Sequence, residues 1–311
     1  MLRVRATLSF AVIVFSTPAV PVFGQQPNAP AGTRMVAVDG HAVRVQMLGF
    51  ESRKTPGTPV VVFEAGGTNS LDAWGQIPQR LSLTVPVVAY DRAGLGQSAW
   101  DGVTPTPQHV TKRLHSLLGV IGVAPPYVLV GFSWGGALMR YFAGYYPSEV
   151  AGVVFVDPAP IVTQSLAEAL TPFNAVGGGR AGYDAYWSAF TGVLQRSSPG
   201  VRAEFDVYSR LLEREPAERD LRPMPNVPVV VLIAAKYLDL SQVIKVPFDQ
   251  RAQFEADVRH RIKQLQEWAL ASPSGTLAVT NQSTHTIPRE DPDLIVWGIE
   301  RVLTAIRSQR R

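Results

Sequence analysis

The 311-residue chain contains no cysteine. Disulfides, thiolate catalysis and zinc sites built on thiols are therefore excluded, although an exported protein can do without disulfides and the absence does not fix a compartment. Charge of one sign is also scarce. Lys and Arg number 29 against 25 Asp and Glu, a net charge of +4, and no basic block stands out beyond the terminal Arg307 to Arg311 segment. Such a mild excess is no nucleic-acid footprint. The five histidines and the acids show no metal-ligand spacing, so neither a metal nor a cofactor is expected. No internal repeat is present. Charged residues make up only 17% against 46% hydrophobic, which rules out disorder and supplies a large core.

Long apolar runs are missing too. The longest at the N-terminus, Ala6 to Phe15, follows Arg3 and Arg5 and precedes Val22-Phe23-Gly24. It is short for a membrane span, which needs about 20 residues, and Pro18 and Pro21 would interrupt a helix beyond it. The pattern is that of an export signal over residues 1–24, cut near Gly24, with an uncleaved anchor as the alternative. Removing it leaves 27 − 25 = +2. Residues 25–33, with Pro27 and Pro30, read as a disordered leader. The expected location is secreted or periplasmic, with no stable membrane insertion after cleavage.

Short β-branched runs then recur: Met35 to Val38, Ala42 to Met47, Val60 to Phe63, Val87 to Tyr90, Tyr127 to Val130, Val153 to Val156, Val229 to Ala234 and Thr276 to Val279. Several are continuously apolar, as strands covered on both faces of a parallel sheet must be. Helical spacing lies between them, as in Val110, Leu114, Leu117, Leu118 and Ile121. The alternation predicts an α/β fold with a mostly parallel eight-stranded sheet flanked by helices, and Asp39-Gly40 predicts an initial hairpin. The rhythm breaks between residues 160 and 225, where aromatics such as Phe173, Tyr183, Tyr186, Trp187, Phe205 and Tyr208 are interspersed with polar residues. This stretch reads as an inserted helical lid, leaving residues 34–159 and 226–311 as the core.

One motif carries chemistry. Tyr127 to Val130 runs into Gly131-Phe-Ser133-Trp-Gly135-Gly136, and helical spacing follows. A serine at so tight a strand-to-helix turn needs glycines two before and two after it, and its hydroxyl stands above the sheet beside helix amides that favour negative charge.

With that motif the chain resembles the α/β-hydrolase superfamily, over most of residues 35–308. Val62-Phe-Glu-Ala-Gly-Gly67 is similar to the family's oxyanion loop, Asp91-Arg-Ala-Gly94-Leu-Gly96-Gln-Ser98 to its D-R-x-G-x-G-x-S segment, and Ser283-Thr-His285-Thr-Ile-Pro288-Arg-Glu-Asp-Pro292 to the loop that presents its histidine. The resemblance implies Ser133 as nucleophile and His285 as base and then acid. It also places oxyanion donors at the backbone amides of Gly66 and Trp134. Glu64-Ala65 stands where many members have His-Gly, and Glu64 reads as a structural carboxylate or a pocket group. For the triad acid two positions stay open: Asp157, directly after the Val153 to Val156 run, and Asp239, several residues past the Val229 to Ala234 run. Asp91 and Arg92 are expected to tie loops together beneath the elbow, and His260, on a charged helix, to face solvent.

The expected activity is that of an exported serine hydrolase cleaving a carboxylic ester, through an acyl-enzyme, in a small substrate that the aromatic lid suggests is apolar. Amide, lactone or carbon–carbon bond hydrolysis and haloperoxidase-like chemistry would use the same triad. Ser133 argues against the branches whose nucleophile is a carboxylate. A binding protein on this fold is the alternative of a different class.

Overall fold

The computed structural model describes residues 32–52, 57–194, 197–242 and 244–309. The export signal over residues 1–24 lies outside them, as does the leader through residue 31. Residues 32 and 33, read as part of the leader, are tied to the sheet instead. Gly32 already accepts a hydrogen bond from the Met47 amide at 3.0 Å, and Thr33 opens the first strand, because pairing with the neighbouring strand satisfies these backbone groups.

Eight strands form one sheet: β1 (Thr33–Val38), β2 (His41–Leu48), β3 (Val60–Glu64), β4 (Val87–Tyr90), β5 (Tyr127–Phe132), β6 (Val150–Val156), β7 (Val229–Ala234) and β8 (Thr276–Thr280). Their spatial order is β1-β2-β4-β3-β5-β6-β7-β8. The β1–β2 hairpin and the β2–β4 pair are antiparallel, and every later pair is parallel. Side chains alternate across the central strand. Tyr127 and Leu129 of β5 enter one apolar cluster, and Val128, Val130 and Phe132 enter the other. Burial of both faces explains why β3, β5 and β7 read as unbroken apolar runs.

Helices cover both faces. On one side pack α2 (Pro107–Val120), α3 (Trp134–Tyr145) and α7 (Gln250–Leu270), through residues such as Leu114, Phe142 and Trp268. On the other side lie α1 (Ile77–Ser82), the short α8 (Ile287–Glu290) and α9 (Pro292–Gln309), through Ile77, Ile287, Ile295 and Ile299. Helix starts follow local chemistry. Thr106 caps α2 before Pro107, and the Asp249 carboxylate accepts the Arg251 and Ala252 amides at the head of α7.

Between β6 and β7 the chain departs from the sheet to form α4 (Leu166–Asn174), α5 (Gly179–Leu194) and α6 (Pro199–Leu211). A Ser165/Glu168 capping box opens α4. The root of this insertion is pinned by Arg219, fully buried, whose guanidinium donates to the carbonyls of Ile161 (2.5 Å) and Gln164 (2.7 Å). Phe173, Tyr183, Tyr186, Trp187 and Tyr208 contact one another or their neighbours ring to ring. Gly178 and Gly182 pack against Phe248, where a Cβ would fall about 2.9 Å from the ring. The Gly177 to Gly179 run is therefore a helix–helix turn. Among the described residues no helix is long and apolar enough to cross a membrane, and no group of three His, Asp or Glu could hold a metal ion.

Candidate active site

At the C-terminal end of β5 the backbone turns so sharply that Ser133 takes φ 54° and ψ −118°, a left-handed conformation unfavourable for any residue with a Cβ. The turn is held on three sides. The Ser133 amide donates to the Val156 carbonyl at 3.0 Å, and the Ser133 carbonyl accepts from the amides of Gly136 and Ala159, each at 3.0 Å. The glycines are steric necessities here. A Cβ on Gly131 would lie 2.5 Å from the Gly135 carbonyl oxygen, one on Gly135 would overlap the carbonyl oxygens of Glu64 and Ala65, and one on Gly136 would meet Pro158 at 2.7 Å.

His285 and Asp157 come to this serine from the ends of two other strands. The His285 Nε2 lies 3.0 Å from Ser133 Oγ, and its Nδ1 lies 2.6 Å from Asp157 Oδ2. With the proton on Nδ1, that edge donates to the carboxylate while Nε2 accepts from the serine hydroxyl. The imidazole packs 5.0 Å from the Phe132 ring and remains 56% exposed, whereas the Asp157 carboxylate is 2% exposed. Asp157 follows β6 with φ 40°, and its amide donates to the Leu232 carbonyl at 2.8 Å. Its Oδ1 accepts from the Ala234 amide at 2.9 Å and from Arg261 Nη1 at 2.6 Å. Burial would raise this carboxyl, but the Arg261 cation, His285 and the Ala234 amide together hold it below the ordinary carboxylate range.

The other acid candidate is elsewhere. Asp239 is exposed, and its Oδ1 accepts from the Ser241 amide at 2.9 Å; no contact with His285 is present among the described residues. Asx-turn chemistry accounts for it.

The loop after β3 lies against the head of α3. A Cβ on Gly67 would stand 3.5 Å from the Trp134 Cβ, so the Gly66 and Trp134 amides belong to one neighbourhood. The Gly66 carbonyl is turned away, accepting from Arg92 Nη2 at 2.8 Å and from the Asn69 amide at 3.2 Å. Glu64 is buried, accepts from the Tyr90 hydroxyl and pairs with Arg92 Nη1 at 2.7 Å. It holds the loop through these two contacts. Burial, only partly offset by Arg92, pushes the Glu64 carboxyl up. Asp91 accepts the amides of Leu71 (2.7 Å) and Gln97 (2.8 Å), as expected of a residue that ties loops together.

Three contributors have no role assigned by the sequence, although Glu290 lies within the histidine segment. Arg261, on α7, reaches Asp157 from 104 positions away. Glu204, on α6, takes Arg92 Nε at 2.6 Å and the Thr68 amide at 3.0 Å. Glu290 accepts the Thr284 amide at 3.0 Å and the Thr284 and Thr286 hydroxyls at 2.9 and 2.8 Å, fixing the loop around His285. Only Glu290 sits close to the site in sequence, five positions past His285. His260 corrects an expectation. It is half-buried with its Nε2 shut off from solvent, because α4 of the insertion packs over α7, and burial pushes its imidazole down.

A family profile described as alpha/beta hydrolase fold matches residues 59–223. Among curated proteins, an AB hydrolase superfamily protein of Gibberella zeae is 26% identical over 310 residues, covering 88% of this chain and 96% of that one. Lipase LipV of Mycobacterium tuberculosis is 35% identical over 86 residues, covering 28% of this chain and 32% of that one. Among solved structures, a thermophilic esterase from Thermogutta terrifontis, malate bound, matches with a TM-score of 0.59 at 17% identity, over 89% of this chain and 99% of that one. That likeness is one of fold.

Proposed function

The chain belongs to the α/β-hydrolase family, and from that premise we propose an exported serine hydrolase that cleaves a carboxylic ester through an acyl-enzyme. One observation carries the reading: the unbroken hydrogen-bond chain from Ser133 through His285 to Asp157. Ser133 Oγ attacks the acyl carbon while His285 Nε2 takes its proton. The carbonyl oxygen becomes an oxyanion, received by the Gly66 and Trp134 amides, which have no hydrogen-bond partner among the described residues. The tetrahedral intermediate expels the alcohol, which leaves with the proton from Nε2. Water then gives a proton back to His285 and attacks the acyl carbon, releasing the acid and restoring the serine. Asp157 stays ionised and stabilises the imidazolium throughout.

An ester is favoured because its alcohol departs easily, and the names lipase and esterase borne by relatives support that choice. An apolar group on the substrate is supported by the aromatic face that residues 160–225, acting as a lid, turn toward the elbow: Tyr208 meets Trp134 edge-on at 5.4 Å and Trp187 at 5.8 Å. Export rests on the Arg3, Arg5 and Ala6 to Phe15 pattern, and N-terminal sequencing of the exported protein tests it by the position of the cut.

A 4-nitrophenyl ester series of increasing acyl length, with a fluorophosphonate probe alongside, tests the activity. Turnover and labelling of Ser133 are expected, and Ser133→Ala should lose more than roughly 10³-fold in kcat. Folded wild type that neither turns over nor takes the label would leave the binding-protein reading in place.

A further inference from the structure

The carboxylate of Asp157 is held by more than its histidine. Arg261 enters from α7 and is itself fixed at three points: Nη1 to Asp157 Oδ1 at 2.6 Å, Nε to Asp257 Oδ2 at 2.8 Å and Nη2 to the Ala234 carbonyl at 3.1 Å. Its side chain is 14% exposed. The same Ala234 that receives Nη2 donates its amide to Asp157 Oδ1, so guanidinium, peptide and carboxylate close a small ring. That ring occupies Oδ1 completely and leaves Oδ2 for the imidazole.

We propose that Arg261 is a positioning residue of this site: it fixes the rotation of the Asp157 carboxylate so that Oδ2 faces His285, and its charge keeps the Asp157–His285 pair ready to act as a base in mildly acidic surroundings. The inference rests on the serine hydrolase reading above for its kinetic consequence, but the geometry stands without it. Removing the charged Arg261 from a buried carboxylate that also holds His285 and the Ala234 amide leaves it undercompensated. Without the Arg261 cation, a positive charge on the imidazole beside Asp157 meets less repulsion, so the acid limb of activity moves to higher pH. Other charged or titratable groups near the pair are Asp257 on α7, Tyr186 on α5, and Lys236, Arg289 and Glu290 beside the histidine loop. Arg261 is the one cation among them that touches Asp157.

The test follows kcat/KM for 4-nitrophenyl acetate from pH 4.5 to 9 in wild type, Arg261→Met, Arg261→Gln and Arg261→Lys, with circular dichroism to verify folding. Both neutral variants should move the acid limb up by about one pH unit and lower kcat at neutral pH roughly 10-fold or more with little change in KM. Lysine should restore most of the limb's position but not all of kcat, since it cannot bridge Asp157, Asp257 and Ala234 together. Arg261→Gln, which keeps hydrogen-bonding atoms, guards against a Met variant that fails to fold. A limb that stays in place in folded neutral variants overturns the proposal. NMR of the His285 ring proton, identified by its loss in His285→Asn, separates this failure from that of the hydrolase reading. A resonance that moves its titration with the Arg261 charge in a protein without turnover sinks the hydrolase reading alone, whereas turnover with an immobile limb and resonance sinks the Arg261 proposal alone.

Discussion

Arg92, just past the end of β4, donates through Nε to Glu204 on the inserted helix α6 at 2.6 Å. The same guanidinium holds the carbonyls of Ala65 (2.7 Å) and Gly66 (2.8 Å), while Glu204 also takes the Thr68 amide. The insertion and the proposed oxyanion loop are therefore joined by one buried ion pair, and close contact between Gly94 and Gly200 seats the insertion on the loop that carries Arg92.

Glu204→Ala should consequently affect stability and catalysis together. Breaking a buried pair by removing one partner costs about 3 kcal/mol, reduced to the extent that Glu64 continues to compensate Arg92. Loosening of the Gly66 loop should lower kcat roughly 10-fold with less effect on KM. Urea unfolding and steady-state kinetics check both, and a variant as stable and as fast as wild type would show that the pair is incidental.

Substitution at the two acids separates them. Asp157→Asn should reduce kcat by roughly 10⁴-fold, because the amide favours the wrong imidazole tautomer and no longer stabilises the imidazolium. Asp239→Asn, exposed and bonded to its own turn, should leave kcat within about twofold of wild type. Equal losses in both variants, or loss only in the second, would remove Asp157 from the mechanism.

Much of this was legible in the residues. The strands were legible because burial on both faces demands unbroken apolar runs such as Val229 to Ala234, and the elbow because its glycines answer a local steric demand. The choice between Asp157 and Asp239 was not, since both follow strands and only the position of the His285 loop distinguishes them. Arg261 was hidden for a different reason. α7 also carries Arg251, Arg259 and Lys263, and which cation turns inward depends on how the helix is seated on β7. Glu204 and His260 depend in the same way on where the insertion lands, a tertiary relationship that no local pattern encodes.

Gly135→Ala tests the steric argument for the elbow. The added methyl would overlap two backbone oxygens, those of Glu64 and Ala65, which cannot swing aside as a flexible side chain could. A destabilisation of about 3 kcal/mol and a large loss of kcat are expected from thermal unfolding and ester kinetics. Gly119→Ala, on α2 with nothing within 4 Å of the new methyl, should be neutral or slightly stabilising and serves as the control.

Glu290 gives the site a dependence on acid. Its burial would raise the carboxyl, but the Thr284 amide, the Thr286 and Thr284 hydroxyls and Lys236 bring it down to about 2 from an ordinary 4.5. A carboxyl depressed on folding binds fewer protons in the native state than in the unfolded one. Its stabilisation is therefore complete above the unfolded value and is lost as pH falls through the window from about 4.5 to about 2. Glu290→Gln has no such charge to lose. The stability gap between wild type and Glu290→Gln, read as a difference in Tm, should be full at pH 7, shrink below about 4.5 and close near 2. At neutral pH the variant should also lower kcat several-fold, because Thr284 and Thr286 flank His285 and lose a charged acceptor. A gap that is constant with pH, or that widens in acid, would mean that the Glu290 charge does not hold the histidine loop.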